Sequence, residues 1–322
     1  MRWTLLSPGD PSQRTGGYLY NARLVEALRS RGHEVEVLPV DGCWPLGPLE
    51  PPSLPDGGVL LADGLLWVAL RPHVPAAMLG RVAVLVHSVL SAEGGEELVD
   101  LEARALDGVG AVVATGGPTE RDLASMGIPS TCIEPGTDPA PRSQRPGRGR
   151  LLALGTVTPR KGLLRLLDAL EPVREGWTLE VVGSLTRDPR HARQVQERAA
   201  GFGDRVRFLG ELDGAGVAAA LARADLLVHA AHYEAYGMAL TEAMVRGVPV
   251  LCTPAGAAEG GGATVVAADG LTGALRRLLG EPDALEQAAQ VAWRRGQNLP
   301  TWSDVARRFE EMRRGSGFRG VQ

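Results

Sequence analysis

The sequence predicts an α/β fold made of two doubly wound domains, each a parallel β-sheet with helices on both faces. Short, almost wholly apolar segments alternate with amphipathic ones along both halves of the chain, which is typical of parallel sheets buried on both faces. The 322 residues are enough for two hydrophobic cores. Between the halves, Pro139 to Arg150 contains four arginines and no apolar periodicity, which indicates an inter-domain linker.

The first half begins with a strand, Trp3–Leu6, followed by a helix, Gly16–Arg31. The helix is predicted to turn its apolar residues inward, namely Leu19, Leu24, Val25 and Leu28. A proline-rich loop is predicted over Cys43–Pro55. Further strands are predicted over Val35–Val40, Val59–Ala62, Val82–Val86, Ala111–Ala114 and Thr131–Ile133, with helices near Asp63–Leu70, Glu93–Leu106 and Thr119–Met126.

The second half repeats the alternation of strand and helix. Its strands are predicted over Leu151–Leu154, Thr178–Val182, Val206–Leu209, Leu226–His229 and Val248–Cys252, and its helices over Gly162–Leu170, Arg190–Ala200 and Gly214–Arg223, with one more after Gly237. The last part, Leu271 to Met312, is predicted to be helical. Two doubly wound sheets bind ligands at the carboxyl ends of their strands, so the site is expected there.

Composition excludes several classes of function. A net charge of −4 and an aromatic content of 4% disfavour a nucleic-acid partner. Three widely spaced cysteines give neither a disulfide framework nor zinc-ligand spacing, which fits a reducing cytoplasm. No apolar run is long enough to span a bilayer, although the linker arginines would allow peripheral contact with the inner membrane face. The sequence does not predict the oligomeric state.

The stretch from His232 to Val250 carries the strongest functional pattern. Glu234 and Glu242 stand eight residues apart, and Gly237 opens a helical pattern between them. The N–H groups at a helix start favour an anion such as a phosphate, and the two carboxylates would lie on either side of it. The ordinary alternative is a pair of solvated charges on a helix face.

The amino-acid sequence of this stretch resembles that of a known family. Glu-Ala-Tyr-Gly before the helix, Glu-Ala-Met inside it and Gly-Val-Pro-Val after it resemble the E-x7-E signature of retaining glycosyltransferases of family four, which have the GT-B fold. The resemblance implies two Rossmann-like domains facing a central cleft. Residues 1–142 would form the acceptor-side domain, with a C-terminal helix, 301–322, packing back on it, and residues 143–300 would bind the nucleotide sugar.

The resemblance also implies the reaction and the role of each residue in this stretch. A sugar would pass from a UDP- or GDP-type donor to the hydroxyl of an unidentified acceptor, with retention of configuration and with no metal or cofactor. Glu234 would bind sugar hydroxyls and Glu242 the ribose. The donor would also contact Tyr236, Gly237, Met238 and Ala239.

Residues Gly155 to Gly162 form a second candidate site. Arg160 and Lys161 are adjacent cations before a predicted helix, which suits a diphosphate, although a solvated basic turn would show the same residues. The octet matches the family pattern Gly-x-x-x-Pro-x-Lys-Gly. The family often has arginine where Thr156 stands, so Thr156 is a predicted donor contact and Arg160 its substitute.

Two further segments match the family in the first half. Gly16 and Gly17 follow the first strand and begin a helix, so their backbone could approach an anion or form a plain turn. His87 ends a predicted strand and matches a histidine near the transferred sugar, although Ser88 replaces the aspartate that usually follows. In the second half, Gly210 at a strand end is expected beside the nucleotide base.

Three alternatives stay open. Gly214, Gly216 and Ala219 spell G-x-G-x-x-A, with Glu234 twenty residues after Gly214, which resembles a dinucleotide fingerprint; an ordinary alanine-rich helix explains the same run. A nucleotide-sugar epimerase or hydrolase could use the same two-domain scaffold. A non-catalytic protein could bind the sugar nucleotide without turnover. No metal site is predicted, because His229 and His232 have no further ligands in the sequence pattern, and His229 is expected to line the core or the cleft.

Overall fold

The computed structural model describes residues 1–42, 47–144, 147, 149–174 and 176–315. Cys43 of the predicted proline-rich loop, Arg145 and Arg148 of the predicted linker, and the end of the predicted C-terminal helix, 316–322, lie outside the described residues. The chain divides into two compact units. The first comprises Met1–Gly136 and Pro300–Gln322, and the second comprises Thr137–Leu299.

The described elements follow the predicted alternation of strand and helix. The strands are β1 (Arg2–Pro8), β2 (Glu34–Val40), β3 (Val59–Asp63), β4 (Val82–Val86), β5 (Ala111–Ala114), β6 (Thr131–Cys132), β7 (Arg150–Leu154), β8 (Thr178–Val182), β9 (Val206–Gly210), β10 (Leu226–His229), β11 (Val250–Cys252) and β12 (Thr264–Val265). The helices are α1 (Gly16–Ser30), α2 (Gly64–Leu70), α3 (Leu90–Gly94), α4 (Val99–Leu106), α5 (Gly117–Ser125), α6 (Leu163–Leu170), α7 (Pro189–Ala200), α8 (Gly214–Arg223), α9 (Met238–Met244), α10 (Gly256–Glu259), α11 (Leu271–Gly280), α12 (Pro282–Gly296) and α13 (Trp302–Gly315).

The first unit contains a six-stranded parallel sheet in the order β2-β1-β3-β4-β5-β6, counted over the described residues. Its central strands β3 and β4 are buried along their whole length, which is why they read as continuous apolar runs in the sequence. Because the chain leaves β1 toward β2 on one side and then crosses to β3 on the other, the topological switch point lies between β1 and β3. Ligands of doubly wound sheets bind beside that point, at the carboxyl ends of the strands.

Helix α1 packs on this sheet with a face that differs from the predicted one. Leu24, Val25 and Leu28 are buried as predicted, but Leu19 is 38% exposed, so its assignment to the core was wrong. At 3.6 residues per turn, Leu19 lies about 140° around the helix from Leu24. Tyr20 and Asn21 occupy the buried face instead.

The last helix, α13, belongs to the first unit and lies against α1. The Tyr20 and Trp302 rings meet edge to face with their centroids 5.6 Å apart. Glu310 accepts hydrogen bonds from the Arg31 guanidinium at 2.7 and 2.9 Å and contacts His33 Nε2 at 2.8 Å. An apolar edge and a charged edge therefore both hold α13 to α1.

The second unit contains a six-stranded parallel sheet in the order β12-β11-β10-β7-β8-β9, again over the described residues. The order reverses between β7 and β10, which places its switch point there. The apolar core on one side of the sheet includes Leu166, Leu170 and Trp177, and the core on the other side includes Leu240 and Met244 of α9.

The described part of the predicted linker is bonded to this second unit. The Ser143 N–H donates to the Arg246 carbonyl at 2.8 Å, and its hydroxyl donates to the Ala222 carbonyl at 2.7 Å. The buried Asp225 carboxylate accepts from the backbone N–H groups of Gly147 and Arg150 at 2.7 and 2.9 Å. These bonds fix the chain as it enters β7.

Other element predictions need correction. The helical stretch predicted from Leu271 to Met312 is interrupted twice, since Glu281 separates α11 from α12 and residues 297–301 separate α12 from α13. The strand predicted from Val248 begins at Val250. The short elements α10 and β12 were not predicted.

Candidate functional site

The candidate site of the second unit lies at the carboxyl ends of β7 and β10, at the switch point of the sheet. A small pocket there is lined on one side by Ala153, Leu154, Gly155 and Lys161, and on the other by Val228, His229 and Ala230. The pocket therefore contains one of the predicted phosphate-binding cations, at the position where doubly wound sheets bind ligands.

Lys161 reaches this pocket because of the loop that carries it. After β7 the chain makes a 3-10 turn, Pro159–Lys161, which ends at Gly162 with a left-handed φ of +66°. A β-carbon at Gly162 would lie 2.0 Å from the Ala230 carbonyl oxygen, so only glycine allows this turn to pack against the segment after β10. Gly155 lies beside the Lys161 side chain.

Glu234 forms the centre of the site. Its Oε2 forms an ion pair with Lys161 Nζ and lies 3.0 Å from His229 Nε2, and the residue is 9% exposed. Burial on its own would raise the pKa of Glu234. The opposing influence of the Lys161 charge, of the His229 hydrogen bond and of the Arg160 charge outweighs burial and holds the pKa well below its usual range. Glu234 is therefore a permanent carboxylate.

Two of these residues were predicted to act, and the structure brings them together. Lys161 and Glu234 are 73 residues apart in the sequence and are directly bonded. His229 was assigned to the core or cleft lining, and its contact with Glu234 was not foreseen. The available signal was its position as the last residue of β10, where side chains reach the carboxyl edge of the sheet.

Two arginines lie close to this group. Arg160 donates from Nη1 to the Tyr233 carbonyl at 3.2 Å, and its own carbonyl accepts from the His232 N–H at 2.8 Å. Arg165 of α6 contacts His232 Nδ1 at 2.6 Å. Burial, followed by the Arg165 charge, lowers the pKa of His232. Arg160 and Arg165 therefore hold the loop before α9 in place through Tyr233 and His232.

The start of α9 has the form that the sequence predicted. Its N-cap is Gly237, with φ +96°, and no side chain caps the helix. Met238 and Ala239 of the first turn are half-buried. Tyr236 is only 4% exposed and packs in the apolar core beneath α9, so its side chain is a core residue.

Glu242 lies on α9 and is not bonded to Glu234. Burial is the main influence that raises the pKa of Glu242; the Arg246 charge opposes it and Asp138 adds to it. The two acids predicted as a pair therefore differ, because Glu234 has a lowered pKa and Glu242 a raised one.

The other two predicted donor contacts of the second unit, Thr156 and Gly210, lie in the loop after β7 and at the end of β9. Thr156 is half-buried in the loop after β7, and its carbonyl accepts from the Thr158 N–H at 3.0 Å. Gly210 ends β9 with φ +69°, and its carbonyl accepts from the Gly183 N–H at 2.8 Å.

The predicted residues of the first unit form a separate group. Gly16 and Gly17 begin α1, and a β-carbon at Gly17 would lie 2.9 Å from His87 Cδ2, whereas one at Gly16 would meet nothing within 4 Å. His87 is held by three buried polar residues that the sequence did not single out, namely Asn21, Asp63 and Thr115. Asp63 supplies the carboxylate that the sequence lacks after His87.

The start of α8 does not offer the free anion site that a dinucleotide would need. The N-cap of α8 is Asp213, whose carboxylate accepts from the Gly216 N–H at 2.8 Å. A negative side chain therefore already occupies the helix start where a pyrophosphate would bind.

The described part of the chain lacks two other features. It contains no group of three or more His, Cys, Asp or Glu side chains that could hold a metal ion. None of the helices there has the length and apolarity needed to cross a bilayer.

Comparisons with known proteins agree with this geometry. Residues 148–288 match the family model for glycosyl transferases group 1. Glycogen synthase of Mycobacterium tuberculosis is 31% identical over 178 residues, which is 52% of this chain but only 42% of that protein. The chain thus spans less than half the length of that relative.

Solved structures resemble the whole chain. Sucrose-phosphate synthase from Thermosynechococcus elongatus superposes with a TM-score of 0.80 at 20% identity, covering 98% of both chains. Anabaena HepE in complex with UDP-glucose superposes with a TM-score of 0.79 at 16% identity, covering 97% of this chain and 98% of the other. Similarity at these identities concerns the fold, and it confirms the predicted GT-B class of two doubly wound sheets.

Proposed function

Because the chain belongs to the glycosyl transferases group 1 family over residues 148–288, we propose that it is a retaining glycosyltransferase. It moves a sugar from a nucleoside-diphosphate sugar to an acceptor hydroxyl and needs no metal. The observation that carries the proposal is the meeting of Lys161 and Glu234, with His229, at the switch point of the second sheet. The UDP-glucose complex of Anabaena HepE supports a uridine donor.

The charges of the site suit the donor. Lys161 and Arg160 would take the diphosphate, with the backbone of Gly237 to Ala239 beside them, while the permanent carboxylate of Glu234 would accept hydrogen bonds from sugar hydroxyls. Lys161 would then lie between Glu234 and the phosphate. Glu242 would bind the ribose, and Thr156 and Gly210 would lie along the nucleotide.

In the proposed reaction the protein mainly positions the two substrates and stabilises the charge on the leaving group. The bond from the acceptor oxygen to the sugar forms on the face from which the diphosphate leaves, and the bond to the leaving phosphate oxygen breaks. The acceptor proton passes to that phosphate oxygen. Lys161 and Arg160 stabilise the negative charge that develops there, which is the role that a metal ion has in other transferases.

The proposal extends to the first unit and to the location of the enzyme. Residues 1–142, with the last helix, would hold the acceptor, and His87, with Gly16 and Gly17, would contact the transferred sugar or the phosphates. The cysteine pattern supports a cytoplasmic enzyme, and the arginines of Pro139 to Arg150 would allow contact with a membrane surface.

A labelling experiment tests donor binding directly. Lys161 is the only lysine in the sequence, so an amine-specific acetylating reagent has one side-chain target. UDP-glucose or GDP-mannose should slow acetylation of Lys161, measured by mass spectrometry, while the α-amino group of Met1 reacts as before. Equal labelling with and without every nucleotide sugar tried would exclude Lys161 from the donor site.

Enzyme kinetics test the roles proposed for Lys161 and Glu234. Lys161→Ala and Glu234→Ala should each lower transfer by at least about tenfold, or about 1.4 kcal/mol in the barrier. Arg193→Ala, on the exposed side of α7, is the matched control for loss of a cation. Unchanged turnover in both site variants would refute the assignment. Rapid release of free sugar or of an epimer without acceptor would favour the hydrolase or epimerase alternative.

A further inference from the structure

A buried polar chain surrounds His87 in the first unit. Asp63 is the last residue of β3, His87 follows β4 and Thr115 follows β5, so the carboxyl ends of three neighbouring strands bring these residues together. Asn21 reaches them from α1. Asn21, Asp63 and Thr115 are each less than 5% exposed, and the His87 side chain is 18% exposed.

The contacts of Asp63 fix the orientation of Asn21. One Asp63 oxygen accepts from the Leu65 N–H at 3.0 Å, and the other accepts from Asn21 Nδ2 at 2.7 Å. Because a carboxylate only accepts hydrogen bonds, the amide of Asn21 must turn its NH2 group toward Asp63. Its carbonyl oxygen then faces His87 Nε2, 3.1 Å away.

The orientation of Asn21 decides where the His87 proton lies. An amide oxygen also only accepts hydrogen bonds, so His87 Nε2 must carry a hydrogen. The Asp63 carboxylate, 3.5 Å from the same nitrogen, favours that form as well. The other ring nitrogen, Nδ1, lies 3.2 Å from Thr115 Oγ1, whose one hydroxyl hydrogen can point to Nδ1 or to the Val86 carbonyl 3.5 Å away; neither choice affects the hydrogen on Nε2.

We propose that Asn21 and Asp63 are positioning residues that hold the His87 ring with its proton on Nε2, so that His87 serves as a fixed surface of the site and not as a proton acceptor. Both ring nitrogens are engaged by protein groups. The Gly17 backbone lies close to the ring, because a β-carbon there would lie 2.9 Å from His87 Cδ2. The consequence for catalysis rests on the proposed function, in which the leaving phosphate takes the acceptor proton. The protonation state itself rests on the contacts alone.

Nuclear magnetic resonance of the ring nitrogens tests the protonation state without any substrate. In protein labelled with 15N-histidine, long-range proton–nitrogen correlations distinguish the two neutral forms, and His87→Gln identifies the His87 signals among the six histidines. Above pH 8, the wild type should show hydrogen on Nε2. Hydrogen on Nδ1 would overturn the proposal.

Two variants distinguish the contribution of Asn21 from that of Thr115. Asn21→Leu leaves Asp63 facing the same nitrogen and should weaken the preference for Nε2, whereas Thr115→Val should preserve it in full. An undiminished Nε2 preference in Asn21→Leu would contradict the role of Asn21. If Asn21→Leu fails to fold, seen as collapse of the remaining histidine signals, the wild type and Thr115→Val still decide the question.

Kinetics test the catalytic consequence, with release of UDP from UDP-glucose as the assay. Glutamine can place an N–H toward Asn21 but cannot take up a proton at neutral pH. His87→Gln should therefore restore most of the turnover that His87→Ala loses. A general base would contribute roughly 100-fold or more, so equal loss in both variants would overturn the proposal. Absence of turnover in the wild type would contradict the proposed function, but it would not affect the protonation state of His87 determined by magnetic resonance.

Discussion

At the scale of single residues, Gly17 is the position where the backbone of α1 comes closest to the His87 ring. A β-carbon there would lie 2.9 Å from His87 Cδ2 and 3.3 Å from Cγ, so Gly17→Ala must displace the ring. We expect the displaced ring to lose its contact with Asn21 and, under the proposed function, turnover of the nucleotide sugar to fall at least about tenfold, or about 1.4 kcal/mol.

The control for Gly17→Ala is Gly214→Ala. Gly214 also begins a helix, α8, and a β-carbon there meets nothing within 4 Å. Turnover in that variant should match the wild type. If Gly17→Ala keeps full turnover, the position of the His87 ring has no importance for the reaction.

Sequence reasoning singled out Lys161, Glu234 and His87 as candidate site residues, but not Asn21 and Asp63, which hold His87. Lys161 and Glu234 were singled out because a glycine-rich loop and a helix start surround them. Asn21 and Asp63 stand 66 and 42 residues from their partners, His87 and Asn21 respectively. Residue spacing along the sequence cannot predict contacts between elements that are far apart in the polypeptide. These hydrogen bonds are therefore visible only in the folded sheet.

At the scale of elements, Glu102 links α4 to the segment that follows His87. Its Oε2 accepts from the Leu90 N–H at the start of α3 at 2.8 Å, and the residue is 2% exposed. Burial raises the pKa of Glu102 to about 7, although the hydrogen bond from Leu90 opposes that shift. The carboxyl group is therefore half-protonated near neutral pH.

This raised pKa predicts a dependence of stability on pH. The folded state holds the Glu102 proton more tightly than the unfolded state, so stability falls as pH rises from about 4.5 to 7 and then levels off. The loss at pH 8 relative to pH 4 would be on the order of 3 kcal/mol. Glu102→Gln should lose this contribution, measured as unfolding free energy against pH. Asp100→Asn, exposed on the same helix, should keep the wild-type slope. An equal slope in Glu102→Gln would show that Glu102 titrates normally.

Elements with strong apolar periodicity were predicted well, and weak ones were not. The strands β3 and β4 match their predicted ranges within a residue, because buried parallel strands read as nearly continuous apolar runs. The two-residue β12 and the four-residue α10 are too short to show a period. The breaks around α12 follow Gly280-Glu281-Pro282 and residues 297–301, which a single helical assignment overlooked.

At the scale of the whole molecule, similarity is unevenly distributed along the chain. The family model covers residues 148–288, all within the second unit, where the charged site lies. The first unit shares its fold with solved structures, but apart from Gly16, Gly17 and His87 its sequence carries no motif that identified a site. The fold class could therefore be predicted for both units, while the chemistry could be predicted mainly for one.

The last helix allows a test of how the chain is divided. Phe309 of α13 is fully buried, and α13 belongs to the first unit although 163 residues of the second unit, Thr137–Leu299, precede it. Phe309→Ala leaves a cavity and should lower stability by about 3–5 kcal/mol. Because the cavity lies in the first unit, hydrogen exchange should accelerate in β1 to β6 and stay slow in β7 to β12. Arg307→Ala, exposed on the same helix, should alter neither. Equal acceleration in both sheets would mean that the two units unfold as one, and unchanged exchange in β1 to β6 would mean that α13 does not stabilise the first unit.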